Sequence, residues 1–263
     1  MQVAKKLNYK EQYDKDGIIF PLEVLTNIEV EKYKSCFEKM ESHYNGFLPR
    51  VGWAHVFFDW AFELVSHPAI LEIVRKIIGP EIIVQGSLYL NKYPNSTAFF
   101  PWHQDGHYSK LKFSESTTVW LAISESNAEN GCMKILPGSH RLDRLDHVEI
   151  YNENSLLKNG GEIIEKLDES KARNVILSPG EMSIHQNSII HGSLPNTSSY
   201  RRTGYIIRYS TPAYQDTTPV IQVAGHAPCN HLNVITSPMV PVGGDPYIEH
   251  RKFNESRGSK VGE

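Results

Sequence analysis

Between residues 81 and 210 the chain is divided into short runs rich in β-branched and aromatic residues, and this texture does most to limit what it can fold into. The runs are "EIIVQGSLYLNKY" (81–93), "TTVWLAIS" (117–124), "GCMKILPGS" (131–139), "NVILSPGEMSI" (174–184) and "TGYIIRYS" (203–210). Turn signals bound them, at "ENG" (129–131), "LPGS" (136–139) and "SPGE" (178–181). Strands this short bury a core only when many of them pair and pack face to face, so a sandwich or barrel is expected. Two helices are predicted ahead of the strands. One covers 26–44, with Thr26 or Asn27 as cap and Ile28, Tyr33, Phe37 and Met40 near helical spacing. The other covers 67–81, with Pro68 in its first turn and Gly79-Pro80 ending it. A mainly β core with a helical N-terminal flank follows.

The remaining stretches are less patterned. Residues 142–173 are polar and contain "NGG" (159–161); they read as an insertion over the β-core, the kind of loop that often serves as a lid. Residues 211–263 carry "GHAPCNH" and "SPMVPVGGDP" and read as irregular cover. No repeat and no linker divides the chain, so 1–263 reads as a single domain. A formal net charge of −3 over 263 residues argues against nucleic acid as the main partner, since phosphate binding needs a basic face. No window has the length of a membrane span, and the opening "MQVAKKLNYKEQYDKDG" lacks the apolar run of a signal peptide. Three widely spaced cysteines, Cys36, Cys132 and Cys229, suit neither a disulfide framework nor a thiolate zinc site, and read as small buried hydrophobes. A soluble protein of the cytoplasm is the expectation.

The chemistry centres on "FFPWHQDGHYSKLKF" (99–113). Two histidines and one carboxylate can hold Fe(II) on one side and leave neighbouring positions open. A His-x-Asp pair supplies two such ligands, because residues two apart on a strand share a face. The same pair can equally be a polar turn whose Asp caps the local backbone. The best third ligand is His191, which follows an apolar run in "SIIHGSLPNTSSYRR"; its rival is His185, six residues earlier. Eleven residues beyond His191 lies Arg202, and arginine grips carboxylates bidentately, as an oxygenase with a keto-diacid co-substrate requires. Adjacent strand residues face opposite ways, so Arg201 reads as a solvated or structural arginine.

"PWHQDGHY", "GCMKILPGSH" and "HGSLPNTSSYRR", in this order and spacing, resemble the phytanoyl-CoA dioxygenase family over roughly residues 15–210. The resemblance implies a double-stranded β-helix (jelly-roll, cupin-like) core and an Fe(II)- and 2-oxoglutarate-dependent dioxygenase that consumes O2 and releases succinate and CO2. By position, His103, Asp105 and His191 match the iron ligands. Arg202 matches the arginine that pairs with the distal carboxylate of 2-oxoglutarate, and Ser193 a hydroxyl that assists it. Asn91 falls near a position that in some members contacts the co-substrate's other end, and Trp120 matches a strand aromatic beside the pocket. Halogenating relatives have Ala or Gly in place of the carboxylate, so Asp105 implies hydroxylation, demethylation, desaturation or another C–H oxidation.

The substrate is not written in the motifs. No basic cluster asks for the phosphates of coenzyme A. His107, Tyr108, Lys110 and Arg208 mix polar and aromatic character, which favours a small polar, amino-acid-like or natural-product metabolite. Trp53 and Phe57, in "GWAHVFFDW" (52–60), are candidate substrate-facing groups. His140 reads as a turn residue over the site entrance. Two other classes stay open: a cupin-type metalloenzyme that does not use 2-oxoglutarate, and a non-catalytic jelly-roll binding module. Zinc hydrolysis is a further option. Oligomeric state is not legible.

Overall fold

The computed structural model describes residues 8–105, 115–142, 144–149, 151–157, 161–215, 217–259 and 261. The helices are α1 (Tyr9–Asp16), α2 (Asn27–His43), α3 (Ala54–Phe57), α4 (Asp59–Val65), α5 (Pro68–Ile78) and α6 (Pro246–Ser256). The strands are β1 (Ile18–Glu23), β2 (Arg50–Gly52), β3 (Ile82–Lys92), β4 (Phe100–His103), β5 (Ser116–Ala122), β6 (Met133–Ile135), β7 (His147–Val148), β8 (Glu162–Ile163), β9 (Arg173–Asn174), β10 (Glu181–Gln186), β11 (His191–Ser193), β12 (Arg202–Ser210), β13 (Pro219–Ala224) and β14 (Asn233–Val234).

All the strands but β7 and β8 form two facing sheets of a jelly-roll. The larger runs β1-β10-β5-β12-β3-β13-β14, with β2 added on β3; the smaller runs β4-β11-β6-β9. β12 lies between β3 and β5, antiparallel to both, so its residues are held from both sides. Strand alternation then gives the large sheet two distinct faces. Beyond the bulge in β3, its odd-numbered residues from Ser87 on and the odd-numbered residues of β12 look toward the helices, where Phe37 stacks on Tyr89 with ring centroids 4.1 Å apart and Tyr209 donates its hydroxyl to the Val65 carbonyl at 2.8 Å. Of the even-numbered residues, Leu88, Leu90, Arg202, Ile206 and Arg208 line a cavity between the sheets.

Helices α2 and α5 close the outer face for reasons local to their sequences. Thr26 and Glu29 form a reciprocal capping box at the start of α2, in which Glu29 Oε2 accepts from the Thr26 amide at 2.8 Å. α5 buries Ile70, Leu71, Ile73, Val74 and Ile77 on one face, each such side chain contributing about 1.5–3 kcal/mol when removed from water. Asp at Val74 would leave a charge in this layer and break it.

The C-terminal region is more regular than its composition suggests. β13 joins the large sheet beside β3, and α6 is capped by Asp245, whose side chain accepts from the Tyr247 amide at 2.8 Å. Proline at 246 starts that helix rather than interrupting it. The expected irregular cover is therefore corrected over 219–224 and 246–256. α1 and β1 also go unannounced in the sequence. Within 142–173 the insertion carries the small β7–β8 pair, and Phe99 bridges to Ser155. Among the described residues no helix is long and apolar enough to cross a membrane.

Candidate functional site

The site is built where the two sheets meet. His103 ends β4 and His191 opens β11, and the two are direct antiparallel partners, which sets their rings 4.1 Å apart. Asp105 follows two residues after His103, on the same side, with Oδ1 3.8 Å from His103 Nε2. Gln104 between them turns away and is fully buried, donating to the Ser188 carbonyl at 2.8 Å and accepting from the Leu145 amide at 3.0 Å. Among the described residues, His103, Asp105 and His191 form one metal-ligating cluster, their donor atoms all within 4.8 Å of one another.

The donor set fits a divalent metal in detail. His103 Nδ1–H donates to the Pro101 carbonyl at 2.8 Å, and His191 Nδ1–H donates to the Ile189 carbonyl at 3.1 Å. A carbonyl can only accept, so each ring carries its proton on Nδ1 and keeps the Nε2 lone pair for a ligand. Burial holds His103 neutral, its pKa drawn down to about 3 with help from His191. For Asp105, burial pushes the carboxyl up, but the opposing pull of Arg208 and the surrounding histidines wins and holds it below the usual range. Arg208, 3.5 Å away, is the permanent charge among those partners. Metal binding needs neutral imidazoles and an ionised carboxylate, and His103 and Asp105 already hold those states.

Arg202 stands at one end of the cavity. It is 1% exposed, its guanidinium lies 5.3 Å from the Trp120 ring, and it donates to the Gly131 carbonyl while its Nε has no partner. Burial lowers its pKa to about 10, which leaves it cationic at neutral pH. Ser193 lines the same end. Lys92, overlooked in the sequence, supports it from behind. Its amine bonds Ser193 Oγ at 2.6 Å and the Leu194 and Gly131 carbonyls, and burial drops its pKa to about 5. The only advance signal was its even spacing on β3 from Leu88 and Leu90.

Not every candidate reaches the cavity. Asn91 points the other way: its amide donates to Tyr89, Leu48 and Glu41, and its carbonyl accepts from Thr203 at 2.6 Å. The expected co-substrate contact is corrected, because one step along a strand reverses the face. Phe57 is likewise core, edge-on to Phe253 and His250. Trp53 lines a second, outer cavity, and Trp120 and Arg208 line the inner one. His185 also lines the inner cavity, 5.2 Å from His191, with both ring nitrogens unpartnered. His140 donates its Nε2–H to the Asp14 carbonyl at 3.0 Å, under α1. Arg201 pairs on the outer surface with Glu41 at 2.6 Å and Glu38 at 3.4 Å. His107, Tyr108 and Lys110 lie outside the described residues.

The model of the phytanoyl-CoA dioxygenase (PhyH) family matches residues 13–204. The chain belongs to this family. A probable alpha-ketoglutarate-dependent hypophosphite dioxygenase of Stutzerimonas stutzeri is 29% identical over 177 residues, which are 66% of this chain and 61% of that protein. The human peroxisomal phytanoyl-CoA dioxygenase is 31% identical over 149 residues, 54% of this chain and 43% of that one. The chain thus spans less than two thirds of these relatives' lengths. Among solved structures, the non-heme monooxygenase ThoJ superposes with a TM-score of 0.78 at 26% identity, covering 95% of each chain. The alpha-ketoglutarate-dependent epimerase SnoN shares the fold, with a TM-score of 0.65 at 20% identity over 78% of this chain and 82% of that one.

Proposed function

We propose that this protein is an Fe(II)- and 2-oxoglutarate-dependent dioxygenase that oxidises a C–H bond of a small polar, amino-acid-like or natural-product metabolite. The reading rests above all on one juxtaposition: a two-histidine, one-carboxylate cluster with both Nε2 lone pairs presented, in the same buried cavity as an arginine lacking an anion. His103, Asp105 and His191 would hold the metal. Bound Fe(II), with 2-oxoglutarate and O2, supplies the oxidising power, and succinate and CO2 are the co-products.

The chain's own residues do the rest. Pro101 and Ile189 fix the imidazole tautomers through their carbonyls. Arg202 offers a fork for the distal carboxylate of the co-substrate, and Ser193, held by Lys92, a hydroxyl beside it. Leu88, Met133 and Ile206 give the inner cavity apolar walls that limit water near the reacting centre. That cavity measures about 70 Å³, and the co-substrate would itself take up part of it, so the body of a substrate lies outside. Asp105, where a halogenating relative would have Ala or Gly, favours oxidation without halide. Action in the cytoplasm, on a small molecule rather than nucleic acid or a membrane, belongs to the same proposal.

Anaerobic titration of the full chain with Fe(II) and 2-oxoglutarate tests this. The weak visible charge-transfer band of the chelate should develop, and Arg202→Ala should weaken co-substrate affinity by roughly 10–100-fold, the worth of a charged hydrogen-bond pair. Iron-loaded, folded protein that shows no band, or an Arg202→Ala titration identical to wild type, would sink the reading. The cupin-type and binding-module alternatives would then take its place.

A further inference from the structure

Arg202 and Arg208 lie six residues apart on β12 and face the same cavity, about 20 Å apart along the strand at the usual rise per residue. The metal-ligating cluster sits between them. Arg202 faces Ser193 and Lys92; Arg208 faces Asp105, and a second arginine joins it there. Arg50, on β2, is anchored by donating to the Leu156 carbonyl at 2.8 Å. Burial and the neighbouring Arg208 work against its charge, and Asp105 alone supports it. Two guanidiniums close enough to repel are costly unless something negative comes between them.

Asp105 is the single acidic residue among the described residues lining the inner cavity. If the proposed function holds, that carboxylate is already committed. Two neutral histidines, Asp105, a divalent metal, a doubly charged keto-acid and Arg202 cancel in charge. Arg50 and Arg208 are left over. The same two arginines, with Leu88, also line the outer cavity of about 520 Å³, so they stand at the neck between the two spaces. The outer cavity adds Arg257, and no described acidic residue lines it. Trp53 and Asn254 complete a wall suited to a polar body.

We propose that Arg50 and Arg208 form an oxyanion site at this neck, and that the substrate carries a carboxylate, phosphonate or similar acid group. Its acid is clamped there, its bulk occupies the outer cavity, and its reacting carbon faces the metal-ligating cluster. This deepens the oxygenase reading and rests on it. Arginine suits the task because its planar fork grips an oxyanion through two donors at once. The two ends of one strand then bind two different acids, the co-substrate at Arg202 and the substrate at Arg208.

The test uses matched pairs of probes on the full chain loaded anaerobically with Fe(II) and 2-oxoglutarate. The pairs are N-acetyl amino acids against their primary amides, and alkylphosphonates against their dimethyl esters. Binding is read both from perturbation of the chelate band and from tryptophan fluorescence. At least one acid should bind about ten-fold or more tightly than its neutral partner, and which pair responds distinguishes carboxylate from phosphonate. Arg50→Gln should erase that preference with the chelate band retained, and Arg50→Lys, which keeps the charge, should restore part of it. The inference is overturned if no acid outcompetes its neutral partner, or if Arg50→Gln leaves the preference intact. A chelate band that never forms in wild type is a separate failure, of the oxygenase reading; fluorescence still reports the anion preference in that case.

Discussion

The two faces of β3 and β12 treat their polar groups in opposite ways. On the helix side, Ser87 Oγ accepts from Tyr205 at 2.6 Å and contacts His55 Nδ1 at 2.7 Å, and Asn91 bonds Tyr89 and Thr203. On the cavity side, the Arg202 Nε is unpartnered, as are both nitrogens of His185 on the neighbouring β10. Buried polar groups are almost always satisfied in native proteins, so an orphan marks either strain or an absent ligand. The helix face leaves His55 Nε2 without a partner, but the cavity face gathers its orphans on a buried cation and a histidine beside the metal-ligating cluster. The difference teaches that burial alone says little about role: Asn91 and Arg202 are both 1% exposed, and only one of them faces the cavity.

Mutations can break this comparison. The largest effect is expected from His191→Ala. It removes a metal ligand outright, so Fe(II) affinity should fall more than about 100-fold, beyond the loss seen when only a supporting partner of a ligand is removed. Stability of the metal-free chain should change little. A titration with unaltered Fe(II) affinity would contradict the ligand assignment.

Asn91→Leu should do the reverse. It strands partners on the helix side and should cost about 1–3 kcal/mol in denaturant unfolding, with 2-oxoglutarate affinity in the surviving folded protein unchanged. Loss of co-substrate affinity at full stability would put Asn91 back in the site. Gly204→Ala lies in between. A methyl there would overlap the Trp120 ring, which lies against Arg202, so a cost of about 1–3 kcal/mol should come with weakened co-substrate binding.

Acid should act on both faces at once. His55, His103 and His185 are buried with pKa values drawn down to about 3, and His250 to about 4, against 6.5 when unfolded. Below pH 6.5 the unfolded chain takes up protons that the folded rings refuse. Stability is therefore fully present above pH 6.5 and is lost as pH falls toward 4, by as much as about 1.4 kcal/mol per pH unit for each histidine. Denaturation midpoints between pH 7 and 4.5 measure the slope. His55→Asn should remove one histidine's share without touching metal uptake; an unchanged slope would mean His55 is not held neutral. The smallest effect is Thr26→Ala, which loses the α2 cap and about 1 kcal/mol, with no change in either ligand's binding.

What could be read in advance follows the range of the interaction. α2 and α5 were legible because capping and periodicity are local, and β3, β5 and β12 because their apolar runs are long. The His-x-Asp pair and His191 stand out because residue type and spacing carry the chemistry. Asn91 was misplaced because facing depends on register, and a one-residue difference inverts it. Lys92 went unnoticed because its role comes from Ser193, 101 residues away. Phe57 looked like a binding aromatic because an exposed pocket wall and a core wall have the same composition. α6 was hidden by proline and glycine, which mark helix starts as readily as loops.

The Gly131 carbonyl receives both Lys92 and Arg202. Gly131 adopts φ +72°, and a side chain there would overlap the Leu194 carbonyl. A surface turn is ordinarily the part of a protein most tolerant of change. This one is not, because it ties down both basic side chains behind the cavity. Insertions between Asn127 and Cys132 would alter the affinity for the keto-acid before they altered the fold, and homologues with a different turn length there would need another way to hold that arginine.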